Sequence, residues 1–212
     1  EDVAAINAST RNERIKNFFI TNKKKITFLL VSIILLALCY FAFDTINKKN
    51  KVKLSDNYNS LLTNYISGNK ANIEKEMVKI IETKDKTYSP LALYFLLDND
   101  LIDSKDKINN FFDILINETN LDNEITNLII YKKALYNSDF ETENNLIKIL
   151  NPIINSDSIW KSQALYLLAE YFFSKNEKQK SKEFFEKILI LENGNSDIKS
   201  AVQRRILRDF SE

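Results

Sequence analysis

The chain has 212 residues, 44% of them hydrophobic, with 30 Lys and Arg against 29 Asp and Glu, a formal net charge of +1. That length suffices for one or two packed domains, and a content of two Gly and two Pro argues against sandwiches, barrels and Rossmann-type sheets, whose turns need those residues. With no His and one Cys, Cys39, the chain lacks the usual general base, the commonest metal ligand, a zinc cage and an internal disulfide.

In chain order, Thr10 followed by Glu13 has the form of a capping box. Ile15, Phe18 and Phe19 then share one side of a short helix whose other faces carry Arg14, Lys16 and Asn17. Such a helix either lies in the headgroup layer or extends the next element into the cytoplasm. Residues 26–43, ITFLLVSIILLALCYFAF, carry no charge. As a helix they reach about 27 Å, enough to cross a bilayer core. Lys23 to Lys25 abut one end, and Tyr40, Phe41 and Phe43 sit toward the other like an interfacial belt. A cleaved signal peptide is the rival reading, but no small-x-small site is cleanly placed. A lipoprotein site at LALC is excluded, since Leu38 stands before Cys39 where a small residue belongs. The expected organisation is a basic, amphipathic segment over 1–25, a transmembrane helix over 26–43 and a helical domain over 44–212.

Basic residues flank the span on both sides, Arg11, Arg14, Lys16 and Lys23 to Lys25 against Lys48, Lys49, Lys51 and Lys53, a small excess. Because long domains cross largely regardless of charge, a short N-terminus inside and a long domain outside is expected. Of the 30 basic and 29 acidic side chains, residues 1–53 hold 10 and 4, leaving 20 and 25 for residues 54–212. The anchor end suits an anionic leaflet, and the mildly acidic remainder makes nucleic acid an unsuitable partner.

Beyond the anchor, apolar residues recur at three and four. Tyr58, Leu61, Leu62 and Tyr65 form a stripe ending at SGNK (67–70), and Ile73, Met77, Ile80 and Ile81 form the next. Ser89 caps and Pro90 opens a helix over Leu91–Asp98, which DNDLIDSKD (98–106) turns and Ile108, Phe111, Phe112 and Leu115 return. That turn fails as a calcium loop, with Ile102 and Asp103 where a ligand and the turn glycine belong. Then come Ile125–Tyr136, the turn NSDF (137–140), Glu143–Leu150 stopped by Pro152, Trp160–Phe173, the turn SKNEK (174–178), Gln179–Leu191, and a closing helix from Asp197 to about Phe210.

ALYFLL at 92–97 returns as ALYLLA at 164–169, 72 residues later, or twice 36 with a helix pair between. That period is close to the tetratricopeptide repeat. Leu168, Ala169, Phe172, Asn176, Ser181, Phe185 and Leu189 stand at that repeat's spacings, with Asn176 replacing the turn glycine. Ala169 and Ser181 are the small residues that let two helices approach. The expected fold is therefore all-α, a single transmembrane helix followed by an irregular tetratricopeptide-like solenoid. In such a stack the free face of each first helix lines a groove. Here it comprises Leu91, Tyr94, Asp98 and Leu101 in one copy and Gln163, Tyr166, Glu170 and Phe173 in the other. Tyrosines beside carboxylates suit a peptide segment or partner helix, and packing against the next repeat is the equal alternative.

RIKNFFITNKKK before the span, the span itself, the pair around YISGNK, TYSPLALYFL and the terminal AVQRRILRDF together resemble the ancillary SecYEG translocon subunits with a tetratricopeptide-like domain. The resemblance implies a single-pass inner-membrane protein with a cytoplasmic N-terminus and a periplasmic domain. It implies association with the Sec translocon and hand-over of emerging proteins to periplasmic chaperones. It supplies no catalytic, metal or cofactor residue, and no small-molecule substrate. A structural scaffold or assembly factor of an envelope or secretion complex is the alternative, and would show a larger, more apolar groove.

Overall fold

The computed structural model describes residues 13–14, 16–66, 68 and 70–210. Thr10 and Ile15, parts of the expected capping box and amphipathic stripe, lie outside them. Among the described residues all regular structure is α-helical. The chain divides into two compact units, Glu1–Asp56 and Asn57–Glu212.

In the first unit, residues 16–21 are helical and the turn at Asn22 does not interrupt the hydrogen bonding. Asn22 N–H donates to Phe18 O (3.0 Å), and Ile26 N–H donates to Asn22 O (2.9 Å). Helical bonding therefore continues into α1, Lys23–Ile66, which favours the extension reading of this segment. An 18-residue apolar stretch of α1 has no buried residue, with Phe28 exposed at 75% and Leu36 at 71%. It is the one helix among the described residues long and apolar enough to cross a membrane. Thr27 and Thr45 turn their hydroxyls onto Lys23 O (2.9 Å) and Phe41 O (2.8 Å), so neither presents an unmet donor. The sequence predicts a separate helix around Tyr58, whereas α1 runs through residues 44–57 without a break. No Gly or Pro stands there to stop it, and an Asp44–Lys48 pair (2.8 Å, i,i+4) supports the turn.

In the second unit, the end of α1 buries Leu61 and sets Tyr58 against Tyr88 and Tyr65 against Phe95, with ring centroids 5.7 and 5.1 Å apart. There follow α2 (Lys70–Glu82), α3 (Tyr88–Asp98), α4 (Lys105–Asn117), α5 (Asn123–Asn137), α6 (Glu143–Ile154), α7 (Lys161–Ser174), α8 (Lys178–Leu189) and α9 (Ser196–Asp209). Neighbours in sequence are neighbours in space, with α2 and α3, α5 and α6, and α7 and α8 packed most closely. The sequence pairs α3 with α4, but α3 lies closer to α2. Ser89 and Ala92 are small and fully buried, whereas α4 brings the bulkier Ile108.

Ser89 is also not the helix cap. The Asp85 carboxylate accepts from the Thr87 and Tyr88 N–H groups (both 2.8 Å), and Ser89 Oγ donates to Ile80 O (2.9 Å). Nor does Pro152 stop α6, which continues to Ile154. Burial of Ile153 in the core offsets the one backbone bond that proline cannot make. The core of the C-terminal half has two clusters. One joins Ile130, Ala134, Leu146, Leu150, Leu168 and Phe172; the other joins Leu165, Ala169, Phe185, Ile188 and Val202.

Candidate functional site

The two copies of the repeated hexapeptide begin alike and end differently. In α3, Asp100 takes φ 49°, so that its N–H donates to Leu97 O and the Leu101 N–H donates to Leu96 O. In α7 the same Schellman cap is built by Asn176 (φ 59°), with bonds from Asn176 N–H to Phe173 O and from Glu177 N–H to Phe172 O. Relative to the repeated letters, α7 is one turn longer. Leu101, placed by sequence on the free face of α3, therefore lies beyond the end of that helix, in its cap. Leu91, Tyr94 and Asp98 remain on one stripe, spaced three and four apart.

Leu91 and Asp98 are exposed, and Tyr94 is half-buried with the Lys132 ammonium 5.8 Å above its ring. The Tyr94 hydroxyl is buried without a hydrogen-bond partner. Burial pushes that phenol up to about 12 from its ordinary 10.0.

Gln163, Tyr166, Glu170 and Phe173 form one stripe of α7, and α9 lies across it. Arg205 grips Glu170 with two bonds, Nε to Oε1 (2.9 Å) and Nη2 to Oε2 (2.6 Å). The same guanidinium sits 4.5 Å from the centre of the Phe173 ring and also pairs with Asp209. Phe210 packs on Phe173 and on Phe185, and Tyr166 packs on Phe185 as well. Hydrogen bonding to Glu170 raises the Arg205 pKa, and burial followed by the Glu170 charge raises that of Tyr166. The bond from Arg208 holds the Asp209 carboxyl below its ordinary value. Gln163 Oε1 is buried and unpartnered. The α7 stripe is thus largely an internal contact, while the α3 stripe keeps Leu91 and Asp98 in solvent.

Three further features escape sequence reasoning because their members are distant in the chain. Glu124 accepts from Ser158 Oγ (2.8 Å), and its carbonyl accepts from Trp160 Nε1 (3.1 Å), tying α5 to the entry of α7. A cleft of about 560 Å³ opens beside Ile154, Ser158, Leu165 and Leu191, flanked by the exposed Ile159 and Ile190. A groove of about 640 Å³ runs between α4, α5 and α6. Among the described residues no group of His, Cys, Asp and Glu could hold a metal ion.

No protein-family model, curated protein or solved structure matches the chain.

Proposed function

We propose that the chain is a membrane-anchored protein-binding adaptor, an accessory subunit of the Sec translocon that passes emerging polypeptides to periplasmic chaperones. The observation that carries this reading is the pairing of a helix whose 18-residue apolar stretch buries nothing with a domain of successively packed helices. An exposed apolar surface of that size is at home in lipid rather than in water. The unbroken course of α1 past the apolar stretch also favours an anchor over a cleaved signal, whose processing site must be an accessible small-residue segment.

The domain is read as a tetratricopeptide-like stack. Ser181 and Ala169 are fully buried at the α7–α8 crossing, where Ser181 Oγ donates to Ala169 O (2.8 Å), as close approach of two helices requires. The left-handed residue Asn176 stands where that repeat places glycine. Helix α9 covers the last pair, as a capping helix does in a repeat array. The setting is a bacterial inner membrane, with the N-terminus in the cytoplasm and the domain in the periplasm.

Two experiments test this. Gentle solubilisation and pull-down should recover translocon components and a periplasmic chaperone; recovery of neither overturns the translocon reading. For topology, Cys39→Ala with Lys86→Cys places one thiol at an exposed position. It should react with a membrane-impermeant reagent in intact spheroplasts. Labelling only after lysis would place the domain in the cytoplasm.

A further inference from the structure

The groove between α4, α5 and α6 is lined by four asparagines, Asn109 and Asn117 on α4, Asn137 on α5 and Asn145 on α6. Asn109 and Asn137 face each other as reciprocal amides, Asn109 Nδ2 to Asn137 Oδ1 at 3.0 Å and Asn137 Nδ2 to Asn109 Oδ1 at 2.7 Å. Asn137 spends its other N–H on Lys133 O (2.7 Å), so it is fixed and almost fully buried. That leaves one N–H of Asn109 for a ligand. Asn145 donates once, to Glu141 (2.8 Å), and keeps a second N–H and its carbonyl oxygen. Asn117 is exposed at the end of α4.

The charges in the groove cancel. Lys133 is paired with Asp113 at 2.7 Å, Glu141 accepts from Asn145, and Lys148 brings the lining to two basic and two acidic side chains. Ile116, Ile149 and Pro152 supply apolar surface between the amides. A groove with no net charge, in which Asn109, Asn117 and Asn145 keep amide groups to spare, does not select an anion, a cation or a nucleic acid. It suits an extended polypeptide main chain, which carries uncharged donors and acceptors of its own along every residue. From Asn109 to Asn117 the wall of the groove is about 12 Å long, room for three or four extended residues.

We propose that this groove holds a short extended segment of an unfolded polypeptide through its main-chain amides, with little regard to its side chains. The proposal rests on the adaptor reading and states how that adaptor grips a client before the client has folded. Such a grip is weak for any one segment and tolerant of sequence.

The test uses the full chain in detergent and a fluorescein-labelled octapeptide of alternating Ser and Val. A second probe has the same side chains but N-methyl groups on alternate amides. The plain peptide should bind, the N-methylated one about tenfold more weakly, as expected for one or two lost hydrogen bonds. A Thr/Ala peptide of equal length should bind within about threefold of the first, and 0.5 M salt as a roughly screening condition should not weaken it. Asn117→Ala with Asn145→Ala, both exposed positions, should lose about tenfold with helicity and melting unchanged. Asn145→Asp, which keeps the shape and removes the amide donor, should lose affinity too. Equal binding of the N-methylated probe, unaltered binding by the variants, or no binding of any peptide overturns the groove. The pull-down above then decides independently whether the adaptor reading survives.

Discussion

Tyr94 shows how a single side chain sets its own chemistry through burial. Its ring is well packed, yet its hydroxyl meets no acceptor. A buried, unmet hydroxyl costs about 1–3 kcal/mol. Tyr94→Phe should therefore stabilise the domain, raising its melting temperature by a few degrees in a detergent scan. A lower melting temperature would show that the hydroxyl has a partner. The phenol is also predicted to ionise late. Its folded pKa of about 12 exceeds the ordinary 10.0, so its contribution to stability is intact below pH 10 and fades as pH rises toward 12. Subtracting the phenolate titration of Tyr94→Phe from that of the unaltered chain should leave one tyrosine whose absorbance rises near pH 12 rather than at its ordinary 10.0. Ser181 is the complementary case, a buried hydroxyl whose donor is met by Ala169 O. Replacing it by Leu would force α7 and α8 apart and should cost about 2–3 kcal/mol, against about 1 kcal/mol for Ala.

At the scale of the helix, the ends carry as much information as the faces. Lys84, Asp100 and Asn176 all have positive φ and all follow a helix. Asn tolerates that conformation and Val does not. Asn176→Val should cost about 1–2 kcal/mol in a denaturant titration, while Asn176→Gly should be near neutral. Asn176 was readable from sequence because the repeat spacing marked a glycine position. The small pair Ala169 and Ser181 was readable for the same reason. Leu101 was not, since periodicity alone does not reveal that α3 stops a turn earlier than α7. Pro152 misleads because proline propensity is local, while the burial of Ile153 is tertiary. The close α2–α3 contact escapes sequence reading too, because Ser89 looks like a cap until its hydroxyl is seen on Ile80. Among the groove residues, Asn109 and Asn137 stand 28 positions apart and leave no local signature.

Across the domain, α9 is the element whose loss is most informative. It contributes Val202 to the cluster with Leu165, Ala169, Phe185 and Ile188, and Arg205 to the grip on Glu170. Arg205→Lys, which loses the bidentate bond and the broad contact with Phe173, should cost about 1 kcal/mol, since the pair is partly exposed. Deleting residues 196–212 should uncover the second cluster and increase dye binding by apolar surface, yet leave the α2–α3 and α5–α6 pairs helical. Complete loss of helicity on that deletion would show the domain to be one indivisible cooperative block.

The chain-order packing of the helices has a consequence in time. A domain whose partners are mostly its sequence neighbours closes short loops, and short loops close fast. Synthesised amino end first, such a chain can acquire structure in instalments, α2 on α3 before α8 exists, with no stretch waiting long for a distant mate. Only α9 must arrive before the apolar end of the array is shielded. Between the emergence of α7 and that of α9, Leu165, Ala169 and Phe185 lack the cover that Val202 later gives them.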